Sequence, residues 1–373
     1  MHVRATLTTR TRVNFKFGQR VISYCSSYKY LGLTINQFLD FGKMSNFFSD
    51  PASRALNAVT CKMIKNKGFP FNVFEMLYNS CVTSITDYAH EVIGYHQYSE
   101  SANIHTKAIR SYLGVGRSAN LCGLRHEVGW LEPKSRAHIK MLRFYFRVKN
   151  MDSSRLTKKI LQYDQYFTDS NPDCNTWSKE ISQIISQNNL MSVVNNFKPK
   201  VVCNLLQTSL LKRDISIFAK DCQNSPKLRT YNSLFSPDIS YNFDTSYTRH
   251  ILPFIHRKRL AQLRLGCLPL RVETDRFTRP IVPSHERFCL QPLCSNTTDS
   301  LPDENKQVED EFHFLIKCRQ YDQLRNVLFS SVETPGFIDF SDKDKFIYLL
   351  TSRAAVKIVA QFIADSFDQR PAK

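Results

Sequence analysis

The apolar residues of this chain change period once. Up to about residue 36 they alternate, and from about residue 50 onward they recur three and four apart. That change restricts the chain to a mainly α-helical fold with a small β element at its start. Val13-Asn14-Phe15-Lys16-Phe17, Gly18-Gln19 and Arg20-Val21-Ile22 read as strand, two-residue turn and strand. Tyr28 to Ile35, rich in aromatic and β-branched residues, reads as one further extended run. So small a sheet cannot stand alone and is expected to lean on the helices that follow.

The first helix is expected from Asp50 as N-cap, with Pro51 in its first turn, Leu56, Val59 and Met63 on one side and Gly68 ending it. After Pro70 a second is marked by Val73, Leu77, Cys81 and Ile85 at spacing four. A third covers Ala102 to Leu113, turning Ile104, Ala108, Ile109 and Tyr112 inward, with Gly114 and Gly116 closing it. The helix after Pro133 is the most legible. Arg136, Lys140, Arg143 and Arg147 fall within about 60° of one another at 100° per residue. Ile139, Leu142, Tyr145 and Phe146 hold the opposite arc, and no acid occurs between Glu132 and Asp152.

Residues 165–205 are Asn/Ser-rich, interrupted by a helical patch from Trp177 to Ile185, and read as an inter-domain boundary. Helical pattern returns at Val201–Ala219. Ser225-Pro226 and Ser236-Pro237 mark turns, and a basic helix spans Arg249 to Leu265 with Arg257, Lys258 and Arg259. The tail from Lys343 to Phe367 is amphipathic, broken near Ser352, with Ser341 as N-cap and Phe346, Leu350, Val359, Phe362 and Ile363 buried.

Charge narrows the partners. Lys and Arg number 51 against 33 Asp and Glu, a net +18. The excess is concentrated in residues 1–150, with 21 basic and 8 acidic side chains. A folded, aromatic-rich segment with that surplus suits a polyanion, because neutralising phosphates releases condensed counterions; a solvated basic surface is the plainer alternative. A four-cation stripe on one packed helix fits phosphate contact. No run approaches the ~18–20 apolar residues of a membrane span, and no apolar segment near Met1 resembles a secretory signal. An intracellular protein, nuclear or cytoplasmic and neither secreted nor membrane-bound, is expected.

Eleven cysteines, an odd number, argue against a disulfide framework. Four residues stand apart: Cys289, Cys294, His313 and Cys318, spaced Cys-x4-Cys, eighteen residues, His-x4-Cys. Three thiolates and an imidazole can close a tetrahedral zinc shell; three buried thiols and a core histidine are the alternative. Residues five apart on a straight helix point about 140° apart, so the helix carrying His313 must end or distort before Cys318. Asp310, between Glu309 and Glu311, reads as helix-start charge. No catalytic metal site is expected. The chain has no Gly-x4-Gly-Lys-Ser/Thr loop, no Gly-x-Ser-x-Gly, no His-Glu-x-x-His and no Asp-Asp pair. His90, His96, His105, His126 and His138 are read as structural.

Several strings, taken in order, resemble the C-terminal part of reverse transcriptases of non-LTR (LINE-like) retrotransposons. They are Tyr28-Lys29-Tyr30-Leu31-Gly32-Leu33-Thr34, Leu77-Tyr78-Asn79-Ser80-Cys81-Val82 with Ile85-Thr86-Asp87-Tyr88, Leu113-Gly114-Val115 and Glu127-Val128-Gly129-Trp130. Further on come Leu263-Arg264-Leu265-Gly266, Leu268-Pro269-Leu270, Glu286-Arg287-x-Cys289, and Val308-Glu309-Asp310-Glu311-x-His313-Phe314-Leu315-x-x-Cys318 with Tyr321 and Arg325. In that family the first strand follows the polymerase palm, the next helices resemble a thumb gripping template–primer duplex, and the Cys/His string is a zinc knuckle. Two details depart from the pattern: Ile93 stands where a tryptophan is usual, and the loop between Cys294 and His313 is longer than typical.

The resemblance implies a mainly α fold: a β-hairpin remnant (residues 1–40) after an absent palm, a thumb-like helical domain (41–165), a polar helical linker region (166–250), and a basic helix, zinc-knuckle module and C-terminal helices (251–373). It implies Cys289, Cys294, His313 and Cys318 as ligands of a structural Zn2+. It also implies RNA or DNA backbone, including element RNA, as partner of Arg136, Lys140, Arg143, Arg147, Arg257, Lys258 and Arg259, with Arg287 and Arg319 presented nearby by the knuckle. Since the family's catalytic aspartates lie upstream, the expectation is a truncated or decayed copy that binds without catalysing. The alternatives are an RNA-directed DNA polymerase whose palm is supplied upstream, and a helical scaffold without metal.

Overall fold

The structure, a computed structural model, describes residues 1, 3, 13–39, 41–96, 99–234, 250–295 and 306–370, without the side chains of 41–47 and 295. It is mainly helical, with two small hairpins before the first helix. β1 (Lys16–Phe17) and β2 (Arg20–Val21) pair in the expected register, Lys16 opposite Val21. The second extended run is a hairpin rather than one strand: β3 (Ser27–Tyr30) folds back on β4 (Leu33–Asn36). Leu31 and Gly32 both take positive φ (47° and 87°), the requirement of a type I′ turn, and the leucine there conceals it from composition.

The helices follow. α1 (Phe41–Lys65) starts before the expected Asp50 and carries Pro51 within it. α2 (Phe71–Leu77) runs through a π-helical turn (Tyr78–Thr83) into α3 (Ser84–Thr86). The buried set is Phe74, Tyr78, Val82 and Thr86, one residue on from the expected stripe. Phe and Tyr rings carry the larger apolar surface, and a wide turn keeps residues four apart on one face where an α-helix lets them drift. α4 (His90–Ile93), α5 (Ser99–Leu113), α6 (Leu121–Val128), α7 (Pro133–Lys149), α8 (Leu156–Ser170), α9 (Trp177–Gln187) and α10 (Pro199–Asn224) come next. α5 buries the four residues expected of it, and Gly114 ends it at φ 69°. α11 (Arg229–Leu234), α12 (Phe254–Arg264), α13 (Arg271–Thr274), α14 (Pro292–Ser295), α15 (Asp322–Ser330), α16 (Asp342–Thr351) and α17 (Val356–Asp368) complete the chain. The basic helix α12 is thus shorter than Arg249 to Leu265. The turn expected at Ser236-Pro237 and the loop 296–300 lie outside the described residues.

The chain forms two compact units, each gathering three stretches, where the resemblance implied four consecutive segments. The first comprises residues 1–58, 77–105 and 131–213, and the second 59–76, 106–130 and 214–373. The first unit's core joins Met141, Leu142 and Phe146 of α7 to Ile181, Ile184 and Ile185 of α9, to Leu190 and Val194, and to Val202, Leu206 and Leu210 of α10. The Asn/Ser-rich stretch read as a boundary is therefore core-forming: its apolar residues are sparse but correctly spaced.

In the second unit, Arg264 and Glu127 form a buried ion pair at 3.0 Å; nearby His126 stacks on Phe218, and Tyr231 meets both rings edge-on. Burial pushes the Glu127 carboxyl up to about 7, against the pull of Arg264. The tail behaves as read. Ser341 caps α16, α16 and α17 break at Ser352, and the five named apolar residues are buried. No single described helix is long and apolar enough to cross a membrane.

Gly266 follows the end of α12 at φ 59°, and a Cβ there would lie 2.2 Å from the Lys227 carbonyl oxygen. Gly266→Ala is expected to destabilise the protein by roughly 2–4 kcal/mol, read as a lower urea midpoint with an unchanged slope.

Candidate metal centre and cationic face

The candidate metal centre is built in the second unit by two backbone devices. Arg287 to Cys289 runs antiparallel to Gln307 to Glu309, with Cys289 N donating to Gln307 O (2.9 Å) and Glu309 N to Arg287 O (2.9 Å). Cys294 follows on α14. The other two residues bound a π-helical turn, His313–Lys317, closed by Cys318 N donating to His313 O at 2.7 Å. This i→i+5 ring is the distortion the sequence required: it returns Cys318 toward His313, where an α-helix would turn it away. Asp310 Oδ1 accepts from His313 N (2.7 Å), so Asp310 does serve the helix start. Arg325 secures the far end, its guanidinium donating to Leu315 O (3.0 Å) and Cys318 O (2.7 Å).

The four ligating atoms lie within 4.8 Å of one another. Cys289 Sγ and Cys318 Sγ are 3.8 Å apart, and Cys294 Sγ and His313 Nε2 are 3.6 Å apart. A tetrahedral shell with bonds of about 2.3 Å to sulfur and about 2.0–2.1 Å to nitrogen has edges of about 3.8 and about 3.6 Å. The sulfurs are far beyond the ~2.05 Å of a disulfide. Gln307 Oε1 lies 2.8 Å from His313 Nδ1 and can only accept, so Nδ1 carries the proton and Nε2 turns its lone pair to the cluster. This Cys3His cluster could hold a metal ion, with dimensions compatible with structural zinc, and four protein ligands leave no open coordination position.

Hydrogen bonds from Cys289 and Cys318, with His313 adding to them, drive the Cys294 thiol well down; the bonds it shares with Cys294 and Cys318, and burial, push Cys289 up. Cys294 is the least buried of the three cysteines. The flanking acids are bound by arginines, and Glu309 Oε1 also lies 4.0 Å from Cys289 Sγ. Glu309 accepts from Arg271 N (2.9 Å) and from Arg370, and Glu311 from Arg229 Nε (2.7 Å).

The cationic face belongs to the first unit. α7 begins with Pro133 and is buried on more of its circumference than one apolar arc requires. Arg136 grips the buried Asp87 through Nε and Nη2 (3.1 Å each), and Lys140 Nζ lies 3.4 Å from the same carboxylate. Half of the expected stripe is thus held by one aspartate. Burial works to raise the Asp87 carboxyl, but the Arg136 guanidinium outweighs it and holds the group below its usual range. Arg143 and Arg147 remain exposed.

Two contacts set α10 antiparallel to α7: Lys149 Nζ donates to Asn195 Oδ1 (2.8 Å) just before α10, and Arg213 Nη2 donates to Ser135 Oγ (3.0 Å), while Arg143 lies near the Cys203 thiol between them. No acid occurs between Glu180 and Asp214. This brings the exposed Lys198 and Lys200 to the same pair of helices as Arg143 and Arg147. Sequence reasoning missed those two lysines, although the acid-free run of more than thirty residues was visible.

The second expected patch is corrected. Arg257 is buried, its Nε donating to Tyr112 O (2.8 Å) and its guanidinium lying 4.0 Å over the Tyr112 ring. It caps the carbonyl end of α5 and cannot reach a phosphate. Lys258 lays its stem against Gly114, and Arg259 sits 4.5 Å over Phe367; both are half-buried. Arg287 is likewise buried, donating to Val282 O (3.0 Å) and Val272 O (2.5 Å), whereas Arg319 is exposed. The five histidines fit structural roles; His90, His105, His126 and His138 are buried.

Comparison with models of protein families, with characterised proteins and with solved structures finds no match for this chain.

Two outcomes are expected. Asp87→Ala leaves Arg136 without its counter-charge and costs about 3–5 kcal/mol by chemical denaturation. In the unaltered chain the depressed Asp87 contributes fully at neutral pH, and its share is lost only as pH falls from the unfolded value near 3.9 through the lower folded one. For the cluster, elemental analysis of the purified chain should find one divalent metal per molecule. Cys318→Ser or chelator should abolish it and open residues 285–325 to protease before the first unit is cut.

Proposed function

We propose that this chain is a non-catalytic nucleic-acid-binding protein carrying one structural zinc, related to the thumb and knuckle region of non-LTR retrotransposon reverse transcriptases. The observation that carries the binding reading is the acid-free α7 beside the acid-free stretch that leads into α10 and through its residues up to Arg213, with Arg143, Arg147, Lys198 and Lys200 exposed there. Antiparallel helices offering cations of one sign suit the regular phosphates of RNA or DNA backbone, including element RNA, without reading bases. Asp87 takes up two cations of the stripe, so the exposed ones are held on a rigid helix by Arg136 and Lys140 behind them.

Zinc is the proposed metal because three thiolates and an imidazole at tetrahedral edges are its usual structural set. It would join the Arg287–Cys289 strand, α14 and the π-helical turn, segments otherwise linked through few backbone bonds. The resemblance supplies the remaining support: the strings around Tyr30-Leu31-Gly32 and His313 to Cys318 occur in that family's order. With no Asp-Asp pair in the chain, primer extension is not part of the proposal.

Fluorescence anisotropy with unrelated labelled RNA and DNA oligonucleotides tests the binding. Replacing Arg143, Arg147, Lys198 and Lys200 with Gln should weaken binding to all of them. The slope of log K against log salt should fall by about 0.7–0.9 for each phosphate no longer neutralised. An unchanged slope would remove the face from the proposal, and indifference to all oligonucleotides at low salt would favour a scaffold.

A further inference from the structure

Helix α8 presents an apolar stripe to solvent. Leu156, Ile160, Tyr163 and Phe167 stand at i, i+4, i+7 and i+11, within about 60° of one another. They are 72%, 58%, 67% and 37% exposed, and Tyr166 beside them is 70% exposed. The helix is anchored from another side by buried Leu161 and by Asp164, which accepts from Ser178 N at 2.8 Å. Isolated exposed apolar residues are ordinary, but a helical stripe of five large ones is not.

We infer that this stripe pairs with α8 of a second copy of the chain, antiparallel about a two-fold axis near Gln162. The sequence is self-complementary about that point. Ile160 meets the partner's Tyr163, and Leu156 meets the partner's Phe167. On one flank Lys159 falls beside the partner's Tyr166, a cation over a ring, and Arg155 falls opposite the partner's Asp169. All four pairings share a centre to within one residue. Residues 155–159 carry three cations and no acid, while 164–169 carry two acids and no cation. Antiparallel pairing therefore matches charge and opposes the helix dipoles; a parallel pair would place like charges together. At roughly 200 Å² for each fully exposed large side chain, the five residues offer about 600 Å² per copy. Two copies would bury about 1,200 Å², the lower bound of specific interfaces, so the dimer forms reversibly with concentration.

Sedimentation velocity on the full chain over a wide concentration range tests this. The mass should rise from 43.3 kDa toward twice that value. Ile160→Asp with Tyr163→Asp should hold the chain at monomer mass with unchanged far-ultraviolet circular dichroism, since both residues are exposed. Arg155→Glu should weaken association roughly two- to fivefold, and adding Asp169→Arg should restore it. A wild-type chain that stays monomeric, or a dimer that survives the double aspartate variant, overturns the inference. Failure of the charge-swap rescue overturns the antiparallel register. If the aspartate variant lowers oligonucleotide affinity at unchanged mass, the stripe is a base-stacking surface and the dimer is rejected. These readouts are independent of the salt-slope test of the α7–α10 face.

Discussion

Buried guanidinium groups tie this protein together. Arg257 joins the end of α5 to α12, Arg264 reaches Glu127 and the Leu350 carbonyl (3.3 Å), and Arg287 and Arg325 bind carbonyls on either side of the metal cluster. Arg136 does the same for Asp87 and the Leu131 carbonyl (3.2 Å). Helix ends leave carbonyls without partners, and an arginine offers five donors in a fixed fork, so one side chain satisfies two or three of them. Removing charge from water is unfavourable, and the Arg257 guanidinium is held less basic by burial than it would be in solvent. The carbonyls and rings around it compensate.

That use of arginine changes what the net charge means. A chain of +18 looks like a general polyanion binder, but several of its cations are structural and occupied within the fold. Other cations stay exposed, and those of α7 and the start of α10 lie in stretches with no acid beside them in sequence. Charge totals measure capacity for long-range attraction, whereas contact depends on which cations the fold leaves at the surface.

The Cys3His cluster shows the same economy of backbone. Ligand spacing limited which residues could meet, and a wide helical turn with a five-residue hydrogen bond let them meet. Arg325, seven residues beyond Cys318, satisfies the carbonyls that such a turn exposes. Sequence strings that include Tyr321 and Arg325 therefore mark support for the site as well as the site itself. Arg370 extends that support, donating to Tyr321 Oη (2.8 Å) and to Glu309.

Periodicity in the sequence settled the helical class, the inward residues of α5, and the broken tail with its Ser341 cap, all of which depend on spacing along one element that the chain itself carries. The Cys/His spacings singled out the four cluster residues but left buried thiols as the alternative, since those residues come from separate segments. Periodicity did not settle that Tyr28 to Ile35 is a hairpin, since a left-handed leucine has no compositional mark. The inward face of α2 also came out one residue away, because ring size overrode the spacing of smaller residues. Whether a basic side chain serves the core or the surface was decided only in three dimensions. Arg143 and Arg257 are the same residue type on similar basic helices, but Arg257 meets the carbonyls ending α5, and only folding brings carbonyls so far away in the chain within reach of its fork.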